Sequence, residues 1–295
     1  YELAASFFDA GDADAAVLIN SATAVPRGFY RRFASYIHQH GWHAVTYDYR
    51  GIGGSKPATL RGFPATLRDW AFLDMTAAVD WVVRELAPAR LFVVGHSFGG
   101  QTPGMLENAN RIDAMVNVSA QSGYWAVQGG REPLKVRFLM TVLMPLFSRL
   151  LGYFPWSLFV PGEDLPKNVA LEWARWGRQP NYLLDDKSLP LERYRTFTAP
   201  VLAYSIDDDN WGTRRAVDDM MRAYVNVTRR HIGPADYGLE RLQHMGFFRE
   251  GSEPIWREAI EWLEATVPMG YRDDHAPGKT LEHKKPIGRT ERNES

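Results

Sequence analysis

The sequence predicts an α/β domain built on a mostly parallel sheet with helices on both faces. Three observations carry that expectation. Short apolar runs alternate with amphipathic helical runs along most of the chain, the pattern of successive strand–helix–strand units. The run "LFVVGHSFGGQ" (91–101) sets a serine among glycines directly after an apolar strand. Of the 295 residues 45% are apolar and ten are Trp, enough to fill a large core and to exclude a disordered chain.

The elements follow in order. "AAVLIN" (15–20) reads as a buried strand, and "FYRRFASYIHQHG" (29–41) as a helix. Tyr30, Phe33, Ala34 and Ile37 share one face of that helix, and Gly41 closes it. "WHAVTYDY" (42–49) is the next strand and runs into the turn "RGIGGS". That turn lacks the Lys-Ser/Thr ending of a phosphate loop and the third glycine of a dinucleotide site, so it reads as structural. A long amphipathic helix, 66–86, leads to the strand before Ser97. "DAMVNVSA" (113–120), "APVLAYSIDDD" (199–209) and the weaker "NVTRRHIG" (226–233) complete the strands.

Between 126 and 197 the alternation stops. "VRFLMTVLMPLFSRLLGYFPWSLFV" is apolar, but Arg137, Pro145 and Arg149 interrupt it, and charge is costly at bilayer depth. A helical insertion is expected rather than a transmembrane span, with a peripheral helix touching a membrane as the lesser alternative. Residues 271–295 are charged and poor in apolar side chains, so a disordered tail is expected.

Composition narrows the function. A net charge of −1 argues against nucleic-acid partners, which need a basic face. With no cysteine there are no disulfides, thiol nucleophiles or cysteine-held zinc, and a cytoplasmic location is expected. The chain begins at Tyr1 rather than Met, which points to a natural N-terminus further upstream, with any signal peptide. No His/Asp/Glu group has metal-ligand spacing, so neither a metal nor a cofactor is expected.

The serine decides the chemistry. Gly95-His96-Ser97-Phe98-Gly99 fits G-x-S-x-G, a strand-to-helix turn that lifts the hydroxyl above the sheet edge. A serine is a weak nucleophile near neutral pH and needs a histidine base, which in turn needs a carboxylate. On this kind of sheet the chain order is Ser, Asp or Glu, His. "VLAYSI" delivers Asp207, Asp208 and Asp209 at its C-terminal end, the edge where open α/β sheets place their sites. Of eight histidines His244, in "ERLQHMGFF", follows the last strand at the required place, while His275 and His283 fall in the charged tail. His96, inside the turn, is expected to support it.

Taken together, "FYRRFASYIHQHGWHAVTYDYRGIGGS", "VVGHSFGG", "APVLAYSIDDDNWG" and "HMGFF" resemble the α/β-hydrolase superfamily, and within it the serine-aminopeptidase and monoglyceride-lipase-like predicted bacterial hydrolases. The resemblance spans about residues 15–268 and implies the α/β-hydrolase fold. It maps the acid to Asp209, with Asp208 in reserve, and makes 126–197 a cap between core segments 1–125 and 198–270. It also implies an oxyanion hole built from the amide of Phe98 and one from the loop after "VLIN". Many relatives carry His-Gly in that loop; Asn20-Ser21 stands here, which puts the donor at Ala22 or Thr23. Pro103 departs from the pattern as well and should kink the helix after Ser97.

The expected function is a carboxylesterase- or lipase-like serine hydrolase. Its partner is a small acyl substrate with an apolar portion, walled by the Met, Phe and Trp of the insertion, Trp173 and Trp176 among them. An acyltransferase or peptidase using the same residues is the enzymatic alternative, and a non-catalytic ligand-binding protein the other. Oligomeric state and substrate stay open.

Overall fold

A seven-stranded sheet organises residues 1–268, the part described by the computed structural model. The stretch 271–295, expected to be a tail, lies outside the described residues. The strands are β1 (Ala5–Phe8), β2 (Ala15–Asn20), β3 (His43–Tyr47), β4 (Arg90–His96) and β5 (Ala114–Val118). A two-stranded hairpin, β6 (Tyr153–Phe154) with β7 (Leu165–Pro166), stands apart from the sheet, which continues with β8 (Val201–Ile206) and β9 (Val227–Ile232). The sheet order is β1-β3-β2-β4-β5-β8-β9; β1 runs antiparallel to β3 and every other pairing is parallel.

The inner strands β2, β3, β4, β5 and β8 are buried along their whole length, as continuous apolar runs under two helical layers require. The edge strand β1 alternates exposed and half-buried residues and is only four residues long, too weak a pattern to stand out in the sequence. Helix α1 (Arg31–Gln39) lays Phe33, Ala34 and Ile37 on one face of the sheet. Helix α2 (67–86) covers the other with Trp70, Met75, Val79 and Val82. A reciprocal bond pair between Thr66 and Asp69 caps α2.

After Ser97 the helix is short: α3 (Phe98–Gln101) stops and the chain enters a 3₁₀ turn, Pro103–Met105. Pro103 therefore ends the helix rather than kinking it, because it has no N–H to continue the ladder. Between β5 and the hairpin lies α4 (132–151), in which a π-helical turn, Leu139–Leu143, joins two α-helical stretches. The hairpin and α5 (Lys167–Trp176) follow. No helix among the described residues is long and apolar enough to cross a membrane. Helix α6 (Arg214–Met221) joins β8 to β9, and α7 (Glu253–Thr266) follows β9.

Candidate active site

Ser97 leaves β4, near the middle of the sheet, with φ 52° and ψ −117°, a conformation that costs a non-glycine residue about 1–3 kcal/mol. Its amide is anchored on Val118 O, 2.9 Å away in β5. The flanking glycines are dictated by space. A Cβ on Gly95 would strike the backbone of Gly100, and one on Gly99 the carbonyl of Asn20 at the end of β2. Strand, turn and helix can pack this closely only without those side chains.

The three aspartates after β8 divide into three tasks. Asp207 meets exposed His231 at 3.1 Å. Asp208 accepts the amides of Leu242 (2.9 Å) and Gln243 (2.7 Å), pinning the loop that carries His244. Asp209 Oδ2 lies 2.7 Å from His244 Nδ1, while its Oδ1 accepts the amides of Trp211 and Gly212, each at 2.8 Å. Burial by itself would raise the Asp209 pKa. The His244 imidazole and the donated bonds more than reverse that, leaving it at about 2. An ionised Asp209 makes Nδ1 the protonated nitrogen of His244 and leaves Nε2 as the basic one.

Ser97 and His244 open onto one pocket of about 710 Å³. The Ser97 hydroxyl is not hydrogen-bonded to His244; it leans toward Gln121 Oε1 at 3.4 Å. Gln121 was not singled out in the sequence, since a glutamine three residues beyond a strand carries no local signal. Apolar groups dominate the pocket wall, including Val25, Phe29, Trp156, Trp173 and Trp211. A second space of about 10 Å³, room for no more than a water molecule, adjoins Ser97 and is lined by Gln101, Gln121, Gln128 and Met140. There the buried Oε1 atoms of Gln101 and Gln128 have no protein partner among the described residues. Trp173 lines both spaces, as expected of a wall residue. Trp176 lines neither: its indole N–H is spent on Asp186 Oδ2, 2.8 Å away, which turns the ring from the site.

The donor expected at Ala22 needs correction. The Ala22 amide donates to Tyr30 Oη at 2.8 Å, so it is not free to reach a substrate oxygen. Thr23, the other position left open by the sequence, makes no backbone N–H bond among the described residues and lines both spaces beside Ser97. The amide of Phe98, first residue of α3, is likewise without a helical partner.

His96 does support the turn, through a relay that sequence order could not reveal. Its Nε2 lies 2.9 Å from His244 O, an atom that can only accept, so Nε2 carries the proton. Burial, reinforced by the neighbouring His244, lowers the His96 pKa to about 3 and keeps the ring neutral. Nδ1 is then an acceptor, so Tyr30 donates to it at 2.9 Å while accepting from Ala22.

The turn "YDYRGIGGS" proves to be the scaffold of this loop. Buried Asp48 holds the Arg27 guanidinium and amide, and Tyr49 Oη donates to Ser21 O.

Residues 16–258 match the family model described as Alpha/beta hydrolase family. Among solved structures, the chain is similar to a soluble variant of monoglyceride lipase from Saccharomyces cerevisiae in complex with a substrate analog (TM-score 0.62, 14% identity, 90% of this chain and 92% of that one). It is similar to a monoacylglycerol lipase from Paleococcus ferrophilus (0.59, 16%, 90% and 100%). It is similar also to a candidate non-heme bromoperoxidase from Mycobacterium tuberculosis (0.60, 18%, 90% and 97%). At these identities the likeness is one of fold. No curated protein sequence matches the chain.

Proposed function

Because this chain belongs to the alpha/beta hydrolase family, we propose that it is a serine hydrolase that cleaves a carboxylic ester through Ser97, His244 and Asp209. The observation that carries the reading is the 2.7 Å bond between Asp209 and His244 Nδ1, formed beside the pocket that Ser97 shares. A buried, ionised carboxylate on one ring nitrogen makes the other a base, which is the arrangement a serine nucleophile needs.

In this mechanism the Ser97 hydroxyl leaves Gln121 and turns to His244 Nε2. Nε2 takes the proton as Oγ bonds to the ester carbonyl carbon. The oxyanion is held by the amides of Phe98 and Thr23, replacing the Ala22 donor expected from sequence. Collapse breaks the carbon–oxygen bond to the alcohol, which receives the proton from His244. Water, deprotonated by the same nitrogen, then attacks the acyl carbon and frees Ser97. Residues 126–197 act as the cap over this centre, their Trp156 and Trp173 forming the wall against which the apolar portion of the substrate rests.

A fluorophosphonate that labels activated serines tests the reading. Wild-type protein should label and hydrolyse p-nitrophenyl esters, and Ser97→Ala should lose both while keeping its fold. Turnover should fall by several orders of magnitude, with a residue from binding and oxyanion donors. Wild-type rates in Ser97→Ala would remove Ser97 from the mechanism. A folded wild-type protein that neither labels nor turns over any ester would favour a binding protein.

A further inference from the structure

Helix α4 (132–151) carries two straight stripes. Val136, Met140, Met144 and Ser148 are buried, and Val136 and Met140 reach the small space beside Ser97. On the opposite side Leu134, Phe138, Val142, Leu146 and Leu150 are exposed, again at every fourth residue. An α-helix of about 3.6 residues per turn would wind such a stripe around its axis. The π-helical turn Leu139–Leu143 takes more residues per turn, and it brings the spacing of four back into line.

The exposure is large: Leu134 is 73%, Leu150 68% and, in the following loop, Leu158 76% open to solvent. Phe159 meets Phe147 of α4 with ring centroids 6.0 Å apart, tying that loop to the helix. Next to it Val160, also exposed, lines the 710 Å³ pocket, so the apolar surface continues to the pocket mouth. Scattered surface leucines need no explanation, but a continuous apolar band marks a contact surface.

Charge identifies the occupant. From 132 to 162 the chain holds Lys135, Arg137 and Arg149 against a single acid, Glu132, which pairs with Lys135 at 2.8 Å. A groove of about 480 Å³ beside α4 adds Arg175 and Arg178 to Arg149. Arg175 is paired with Glu172 and Asp186, whereas Arg149 and Arg178 have no ion pair among the described residues. A two-fold dimer through this face would set like charges against each other. An anionic lipid surface satisfies both features, taking the stripe among its acyl chains and the cations at its headgroups.

We propose that α4 and the 158–160 loop dock onto anionic lipid surfaces, with the pocket mouth opening at the interface. The docking does not depend on the proposed chemistry and is tested apart from it. The full chain is sedimented with phosphatidylcholine vesicles, with and without phosphatidylserine. Wild-type protein should bind the phosphatidylserine vesicles, less so in high salt. The triple change Leu134→Ser, Phe138→Ser, Leu150→Ser should abolish sedimentation. The pair Lys135→Glu, Arg149→Glu should weaken it by about 30-fold or more, from roughly 1 kcal/mol per cation at an anionic surface. All these side chains are exposed and outside the pocket, so urea midpoints and hydrolysis of a water-soluble short ester should stay at wild-type values. Failure of wild-type protein to bind either vesicle, or undiminished binding by the triple variant, overturns the proposal. A wild-type dimer that the triple variant converts to monomer overturns it too, and assigns the face to a second copy.

Discussion

Tyr30 Oη and His96 Nδ1 lie 2.9 Å apart, and this bond joins the loop of Thr23 to the loop of His244. The tyrosine oxygen holds the Ala22 amide and the far side of the histidine holds the His244 carbonyl, so one relay sets the spacing of the proposed oxyanion donor and base. Tyr30→Phe keeps the ring packing but removes both bonds. It should lower kcat, by up to ~100-fold if a reacting group shifts by an ångström, with a smaller effect on KM. Stability should fall by about 1–3 kcal/mol as the buried Ala22 amide and His96 nitrogen lose their partner. Steady-state kinetics on one soluble ester decide it; an unchanged kcat would make the relay purely structural.

The aspartates should separate by rank. Asp209→Asn should cost about 10⁴-fold in kcat, the scale seen when a triad carboxylate is neutralised and the imidazole takes the wrong tautomer. Asp208→Asn weakens the two amide bonds that hold the His244 loop and should cost about tenfold, from the strength of bonds to a charged acceptor. Asp207→Asn touches only an exposed pair with His231 and should stay near wild type. A larger loss in Asp208→Asn than in Asp209→Asn would reverse the assignment.

Two neighbouring tryptophans should behave differently. Trp173 stands between Trp156 and Trp211, with ring centroids at 5.3 and 6.2 Å, so Trp173→Phe enlarges the pocket and should shift preference toward bulkier esters. Trp176→Phe deletes the bond to Asp186 and should cost roughly 1–2 kcal/mol of stability while leaving ester preference unaltered. A panel of esters of graded length, read beside urea midpoints, distinguishes the two effects.

Acid should weaken the fold through His96. Its pKa falls to about 3 in the native state, below the ordinary histidine range, so between about 6.5 and 3 the unfolded chain binds the extra proton. Stability from this group is therefore full above that window and declines as pH drops through it, by at most about 1.4 kcal/mol per unit. Asp209, held at about 2, remains ionised in the native state throughout the window. Urea unfolding of wild type and His96→Asn from pH 7 to 4 should give the steeper decline in wild type. Parallel slopes would mean that other groups carry the acid sensitivity.

Activity should move with pH in a separate way. From mildly acid to mildly alkaline pH, kcat/KM for a neutral ester should rise, since a histidine base must be neutral to accept a proton. Asp209 is already charged and His96 already neutral in this range, so neither can produce the rise. A falling profile in folded protein would contradict a neutral histidine base.

What the sequence by itself determined was local. The inner strands of the sheet and the helices α1 and α2 were legible because burial imposes a period on adjacent residues, as at "AAVLIN" and along Tyr30, Phe33, Ala34 and Ile37, whereas the short edge strand β1 was not. The crowding of Gly95, Gly99 and Gly100 was legible because a sharp turn excludes side chains at those positions. Tertiary structure decided whatever depended on direction across long separations. Which of three adjacent aspartates meets His244, 35 residues on, follows from the turn after β8, where the Asp209 amide bonds back to Ile206 O at 3.1 Å. That Thr23 rather than Ala22 has the free amide depends on where Tyr30 sends its hydroxyl. That Trp173 faces the pocket and Trp176 does not depends on the seat of Asp186. Periodicity reports only that a side chain is buried or exposed; the partner it finds there is set by the packing of elements distant in the chain.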